Sequence, residues 1–318
     1  MLSGLPDTPL QPRQRSCAPA WTLLGCGALG GVFASLLTLA SQPTRVLLRD
    51  LHRPTLNPRF DFTSLEGNTQ LLTVDRSFVT DPGEIARLLV MTKANQVLAA
   101  LRPLVGVLSP DVPIVLLHNG MGIAEQVLAL FPDNPIIAGV TSHGAIKAGH
   151  FVFRHTGKGE TWLGPINEAA KAHAEIATDL AAAIGQAGWD EQIVVRQWQK
   201  LAINCAINPL TALYKLKNGE LASPRFTDVL QQVCVEVADV MQAQGLAGTA
   251  DELLRRVMMV IELTADNYSS MYQDLELGRD SEIEAITGFL LATAAQHGIA
   301  APVNQGLYQA MKEKSPVL

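Results

Sequence analysis

Three polar side chains stand four residues apart in a strongly apolar stretch, Lys200, Asn204 and Asn208 in W-Q-K-L-A-I-N-C-A-I-N-P (198–209). At helical spacing they stack along one face. Asparagine is a poor helix former, and the neighbours are apolar all round. Two readings stand: a solvated face, or a buried helix whose polar line meets a cleft. Far upstream, Gly25-Cys26-Gly27-Ala28-Leu29-Gly30 forms a G-x-G-x-x-G between an apolar run and a helical one. The first glycine permits the turn, the second lets a pyrophosphate approach the backbone, and the third lets helix pack on strand. The helix start then offers N–H groups and its dipole to the phosphates. That chemistry is dinucleotide binding.

Other strand ends carry polar residues where ligands of such sheets sit. The run Val46-Leu47-Leu48 ends in Arg49-Asp50, about twenty residues past the glycines, as the fingerprint requires. An acid there selects a free ribose 2′-OH and an arginine a 2′-phosphate. Arg49 is the expected phosphate contact, with Arg53 a helper and Asp50 turned aside; the alternative is a solvated charge pair. Leu88–Thr92 runs into Lys93 and Gln96, and Ile114–Leu117 into His118-Asn119-Gly120. Lysine suits cofactor phosphate or ribose and asparagine suits nicotinamide or substrate, although each is also an ordinary turn residue. A further cluster, Asn267-Tyr268-Ser269-Ser270-Met271, precedes Asp274 and Ser281-Glu282. Ser281 is expected to cap a helix opening at Glu282, whose carboxylate is either a first-turn acid or functional.

The elements that must position these residues fall into two sets. From Trp21 to about Asp190, short apolar runs (21–24, 45–48, 88–92, 114–117, 136–141) alternate with helical stretches (96–108, 123–130), which predicts a doubly wound parallel sheet. Residues 141–164 read as a more irregular, antiparallel finish to it. Beyond Gly188 the pattern is helical over 198–214, 225–244, 250–276 and 281–297, with Gly245, Gly278 and Gly298 at C-terminal caps. The predicted organisation is a disordered leader (1–20), a dinucleotide-binding domain (21–190) and an all-α domain (191–318).

Of the 318 residues, 48% are hydrophobic and 17% charged, enough for large cores, and length favours two domains. A net charge of −6 without a basic stripe argues against nucleic acid. Cys17, Cys26, Cys205 and Cys234 form no C-x-x-C pair and fit free thiols in a reducing cytosol. No histidine pairing suggests a metal. The uncharged stretch Trp21 to Ala40, preceded by Arg13 and Arg15, imitates an export signal or a span. Its apolar run is short, it holds four glycines within seven residues, and no second span follows, so a cytoplasmic protein without a membrane partner is expected.

Taken in order, G-C-G-A-L-G (25–30), T-K-A-N-Q (92–96), L-H-N-G-M-G (117–122), W-Q-K-L-A-I-N-C-A-I-N-P-L-T-A (198–212), N-G-E-L (218–221), S-S-M-x-x-D (269–274) and R-x-[ST]-E-I (279–283) resemble ketopantoate reductase, 2-dehydropantoate 2-reductase. The resemblance spans 21 to about 312, and 198–212 is its most specific segment. It implies a Rossmann-type domain followed by a helical one, and NADPH-dependent reduction of ketopantoate to (R)-pantoate in pantothenate and coenzyme A biosynthesis, by a monomer or homodimer. Lys200 then matches the proton donor. Asn204, Asn208, Asn218 and Ser270 match substrate ligands, and Asn119 meets substrate and nicotinamide. Gly25 to Gly30, Arg49, Lys93, Gln96, Ala145 and Glu282 match residues that hold NADPH. The alternatives are a non-enzymatic NADPH sensor on the same fold and a reductase of another branched 2-oxo acid.

Overall fold

The computed structural model describes residues 20–49 and 59–313. Cys17, Asp50, Arg53 and nearly all of the expected leader lie outside the described residues. The strands are β1 (Trp21–Leu24), β2 (Thr44–Leu48), β3 (Arg59–Thr63), β4 (Thr69–Thr73), β5 (Asp75–Phe78), β6 (Arg87–Val90), β7 (Ile114–Leu116), β8 (Ile136–Thr141), β9 (Gly144–Gly149), β10 (Val152–Gly157), β11 (Thr161–Pro165) and β12 (Ala187–Trp189). Among the described residues, one sheet of eight runs β12-β11-β8-β7-β6-β1-β2-β5 and one of four runs β4-β3-β10-β9. The larger sheet is parallel except where β11 meets β8. This is a Rossmann-type sheet.

Helices α1 (Ala28–Leu39), α2 (Ala94–Leu101), α3 (Ala124–Leu130) and α4 (Glu175–Ile184) flank it. Strands β1, β6 and β7 are buried at every residue, as continuous apolar runs must be when both faces are covered. One face packs Val32, Phe33 and Leu37 of α1 with Leu180 of α4 and the small sheet's Phe60, Phe62 and Phe153. The other packs Val97 and Leu101 of α2 with Val127 of α3.

The small sheet and β5 are additions that the sequence pattern concealed. In β3 only Phe60 and Phe62 face inward, and β4 is exposed at four of five residues, so no apolar run announces them. Strands β9 and β10 do supply the irregular finish expected over 141–164, but they join β3 and β4 instead of extending the main sheet.

The chain then becomes helical: α5 (Ile193–Tyr214), α6 (Thr227–Ala243), α7 (Ala250–Leu263), α8 (Ser270–Glu276), α9 (Phe289–Gln296) and α10 (Pro302–Glu313). Trp198, Leu201, Cys205 and Leu210 of α5 lie in the centre of their core. Gly245, Gly278 and Gly298 have φ of 70°, 63° and 68°, the left-handed geometry of C-terminal caps.

Several helices depart from the expected bounds. The segment 250–276 is two helices. Thr264 Oγ1 turns back to the Val260 carbonyl at 2.6 Å as α7 ends, and Ser269 Oγ accepts the Tyr272 N–H at 3.1 Å to open α8. The stretch expected as a helix over 281–297 opens with one π-turn over Glu284–Gly288, and no side chain caps it, so Ser281 has no capping role. Glu282 precedes the π-turn, its carbonyl accepting the Ile286 N–H at 3.1 Å while its carboxylate reaches into the first domain. Helix α2 stops at Leu101, and Pro103 sits in the 3-10 turn that follows. Helix α10 was not expected. Pro302 starts it, and buried Glu236 accepts the Val303 and Asn304 N–H groups at 2.7 and 2.9 Å.

Candidate active site

Strand β1 delivers the chain into Gly25, whose φ of +109° suits only glycine. A Cβ there would lie 2.9 Å from the Met91 carbonyl carbon, and one on Gly30 would lie 2.1 Å from the Gly25 oxygen. Gly27 differs: a Cβ there meets nothing within 4 Å, and the residue is exposed. Packing therefore explains Gly25 and Gly30, while Gly27 leaves open space above the turn. Gly27 also stands at the N-terminus of α1, which has no side-chain cap and no acidic residue in its first turn. Room and N–H donors together fit a dinucleotide's phosphates. Arg49 is exposed at the end of β2, Ala145 is half-buried on β9, and Gln96 is exposed on α2. Lys147 Nζ donates to the Cys26 carbonyl at 3.0 Å.

Three strand ends and α5 converge on a second locus. Past β7, Asn119 Nδ2 donates to Glu282 Oε2 at 2.9 Å, and the Ala94 N–H at the head of α2 donates to Glu282 Oε1 at 3.2 Å. One buried carboxylate thus joins two loops of the first domain to the start of the π-turn. Gly120 lets the backbones meet here, since a Cβ on it would stand 2.5 Å from the Ala285 carbonyl oxygen. Lys200 Nζ donates to the Thr141 carbonyl, at the end of β8, at 2.8 Å. Burial lowers the Lys200 pKa to about 8, with the negative charge of Glu282 opposing that fall. His118 donates from Nδ1 to the Asn119 carbonyl at 3.0 Å, and burial holds its pKa below the ordinary value.

Between these groups lies a crevice of about 10 Å³, room for one water, lined by His118, Asn119, Gly120, Val140, Gln197, Lys200, Leu201 and Asn204. A wider cleft of about 460 Å³ lies between Val195, Gln199 and the α7 residues Arg255, Arg256 and Met259. It holds none of the expected site residues. The expected site residues Asn119, Lys200 and Asn204 line the narrow crevice instead.

Lys200, Asn204, Asn119 and Glu282 are therefore brought together. Asn208 is buried one turn further along α5. Asn218 donates from Nδ2 to Thr264 Oγ1 at 2.9 Å, and its buried Oδ1 has no partner. Ser270 is the exposed first residue of α8, and its neighbour Ser269 accepts from Thr211 Oγ1 of α5 at 2.7 Å. Lys93, expected on the cofactor, pairs with Asp274 Oδ2 at 2.6 Å and donates to the Asp280 carbonyl at 2.8 Å. Asp274 also holds Arg279 at 3.3 Å. Sequence reasoning gave no role to the Thr141 carbonyl, Gln197 or Asp274. A backbone carbonyl leaves no trace in residue type. Asp274 did leave one, as a buried acid facing inward from α8 beside Met271.

Two family models, described as "Ketopantoate reductase PanE/ApbA" and its C-terminal part, match residues 21–168 and 192–315. The chain belongs to the ketopantoate reductase family. A 2-dehydropantoate 2-reductase of Vibrio cholerae is 38% identical over 292 residues, 91% of this chain and 96% of that protein. One from Archaeoglobus fulgidus is 32% identical over 291 residues, 90% and 94% of the two chains. Among solved structures, a D-mandelate dehydrogenase with NADH and anilino(oxo)acetate superposes with a TM-score of 0.87 at 19% identity, covering 93% of this chain and 98% of that one. The PanE/ApbA family ketopantoate reductase of Ralstonia eutropha JMP134 gives 0.83 at 23% identity, with the same coverage. These two structural likenesses bear on the fold: family members and a dehydrogenase of different substrate share one architecture. Among the described residues no helix is long and apolar enough to cross a membrane.

Proposed function

We propose that this reductase converts ketopantoate to (R)-pantoate with NADPH, on the route to pantothenate and coenzyme A, and that Lys200 is its general acid. The carrying observation is the ammonium of Lys200, in one crevice with Asn119 and Asn204, where Asn119 donates to the interdomain carboxylate Glu282. In this reading residues 21–190 hold the cofactor and 191–318 the substrate, in the cytoplasm, as a monomer or homodimer.

The glycine turn and the uncapped start of α1 hold the pyrophosphate, and Arg49 meets the 2′-phosphate. Lys93, Gln96, Asn119, Ala145 and Glu282 complete the cofactor contacts. NADPH, when bound, supplies the hydride that the ketone carbon accepts. The carbonyl oxygen then gains negative charge, which the Lys200 ammonium stabilises before passing it a proton. A pKa of about 8 suits that task, because the lysine stays charged at pH 7 yet gives up its proton more readily than an exposed one. Asn204, Asn208, Asn218 and Ser270 are neutral donors and acceptors for the substrate's carboxylate and hydroxyl. A substrate without that hydroxyl leaves buried polar groups unpaired and is rejected.

The test is cofactor oxidation, followed by loss of nicotinamide absorbance, with ketopantoate beside branched and aromatic 2-oxo acids. We expect kcat/KM for ketopantoate to exceed the others by about 10⁴-fold, the scale on which a site that hydrogen-bonds a hydroxyl rejects analogues lacking it. A higher value for another 2-oxo acid would reassign the substrate, and binding of NADPH without turnover of any would leave a sensor.

A further inference from the structure

One buried cation of the first domain has no hydrogen-bond partner. Arg76 is the second residue of β5, opposite Val46 of β2. All three of its guanidinium nitrogens are buried without one. Its contact is instead with the Phe151 ring, whose centroid lies 4.7 Å from Cζ. Other arginines of the same sheet are served differently: Arg87 pairs with Asp179 at 2.5 Å, and Arg45 donates to the Glu84 carbonyl. Among the described residues only an aromatic face meets this desolvated guanidinium, which is costly for folding because no hydrogen bond replaces the water it lost.

Its surroundings point to what is missing. Lys147 and Arg76 are the two cations whose fields reach the Cys26 thiol, inside the glycine turn. Lys147 is itself seated on the Cys26 carbonyl. The thiol is not their counter-ion, since burial pushes its pKa up to about 12 and keeps it neutral. Burial lowers the pKa of Arg76 as well, opposed by Cys26, and among the described residues no carboxylate offsets it. The platform beneath is rigid. Phe151 takes the left-handed φ of 57°, unusual for an aromatic residue, and stacks on Phe60 at 5.2 Å. Two cations with no acid between them among the described residues, beside a turn that fits phosphates, form an anion site waiting for its ligand.

We infer that Arg76, assisted by Lys147, binds a phosphate group of the dinucleotide. The inference rests on the cofactor reading above. Strand β5 lies beyond β2, on the side away from β1, and Arg49 ends β2. That placement favours the 2′-phosphate over the pyrophosphate. Lys147 is exposed and can leave the Cys26 carbonyl to meet the same group. Arg76 is thus a second selector for NADPH, on a strand outside the glycine motif.

Dissociation constants for NADPH, NADH and adenosine 2′-monophosphate, measured on wild type, Arg76→Gln and Arg76→Lys, test it. Unfolding midpoints are recorded with and without ligand. Arg76→Gln should weaken NADPH about 10- to 100-fold, the loss of one charge-assisted contact, with Arg76→Lys recovering part of it. Weakening of NADPH and adenosine 2′-monophosphate with NADH spared assigns the 2′-phosphate, and parallel loss of NADPH and NADH assigns the pyrophosphate. Without ligand, Arg76→Gln should melt no lower than wild type, because the charge it removes is unpaired. Affinities within about twofold of wild type for both cofactors overturn the inference. So does an unliganded Arg76→Gln that melts well below wild type, which would make Arg76 structural. If wild type binds neither cofactor, it is the cofactor reading that fails.

Discussion

The glycine turn and the crevice both await negative charge, yet they are built in opposite ways. At the turn the donors are backbone N–H groups at an uncapped helix start, with open space above Gly27 and an exposed Arg49 nearby. At the crevice the donor is one half-buried side chain, Lys200, held by the Thr141 carbonyl and overlooked by Glu282. The difference follows from the charge each would meet. A dinucleotide's phosphates are anionic before they arrive, so permanent donors and an arginine suffice. A ketone's oxygen is charged only during reaction and must end with a proton, so its partner must be able to lose one. Burial brings Lys200 to that condition. Lys93, which Asp274 holds in an ion pair, shows what the same residue type does with a carboxylate beside it.

Removal of Lys200 should have the largest effect. Positioned proton transfer is worth about 10²–10⁴-fold, so Lys200→Ala should lower kcat by that order. NADPH affinity should survive if, as proposed, the turn holds the phosphates. Wild-type kcat/KM should fall as pH rises through about 8, where the free enzyme's lysine loses its proton. Steady-state kinetics across pH and a fluorescence titration of NADPH check both. A variant kcat within about threefold of wild type refutes the acid assignment, and a fold-intact variant that loses NADPH moves Lys200 to the cofactor site.

The turn is probed by Arg49→Ala. A lost charge-assisted contact is worth about 1.5–3 kcal/mol, so NADPH should bind roughly ten- to hundredfold more weakly, with NADH nearly unchanged. Equal losses for the two cofactors would return Arg49 to a structural role.

The smallest effect is on stability, and its sign sharpens the contrast. The pKa of Lys200 is about 8 folded against an ordinary 10.5, so the unfolded chain binds more protons between those values. Wild-type stability should therefore rise with pH across that window as the burial cost is relieved. Lys200→Met should lack this rise and should melt no lower than wild type at pH 7. Denaturant unfolding of both proteins across the window measures it. A methionine variant markedly less stable at pH 7 would mean that the bond to Thr141 outweighs the buried charge.

What could be read from residue order was what depends on local spacing. The strands buried on both faces, the glycine turn and the line Lys200-Asn204-Asn208 each announce themselves within about a dozen residues. Strands β3 to β5 did not, because their few inward side chains are covered by Phe151 and Phe153, some ninety residues later. The bond from Lys200 to the Thr141 carbonyl, the grip of Asp274 on Lys93 and the reach of Glu282 to Asn119 span 59, 181 and 163 positions. The pKa of Lys200 and the isolation of Arg76 depend on how much water the assembled domains exclude and on which charges they leave nearby. Residue order set which donors exist and the local turns and helices that carry them. Which donors are desolvated, which are paired and which stand waiting followed from the packed fold, because desolvation and Coulomb interaction act through space between groups that the chain keeps far apart.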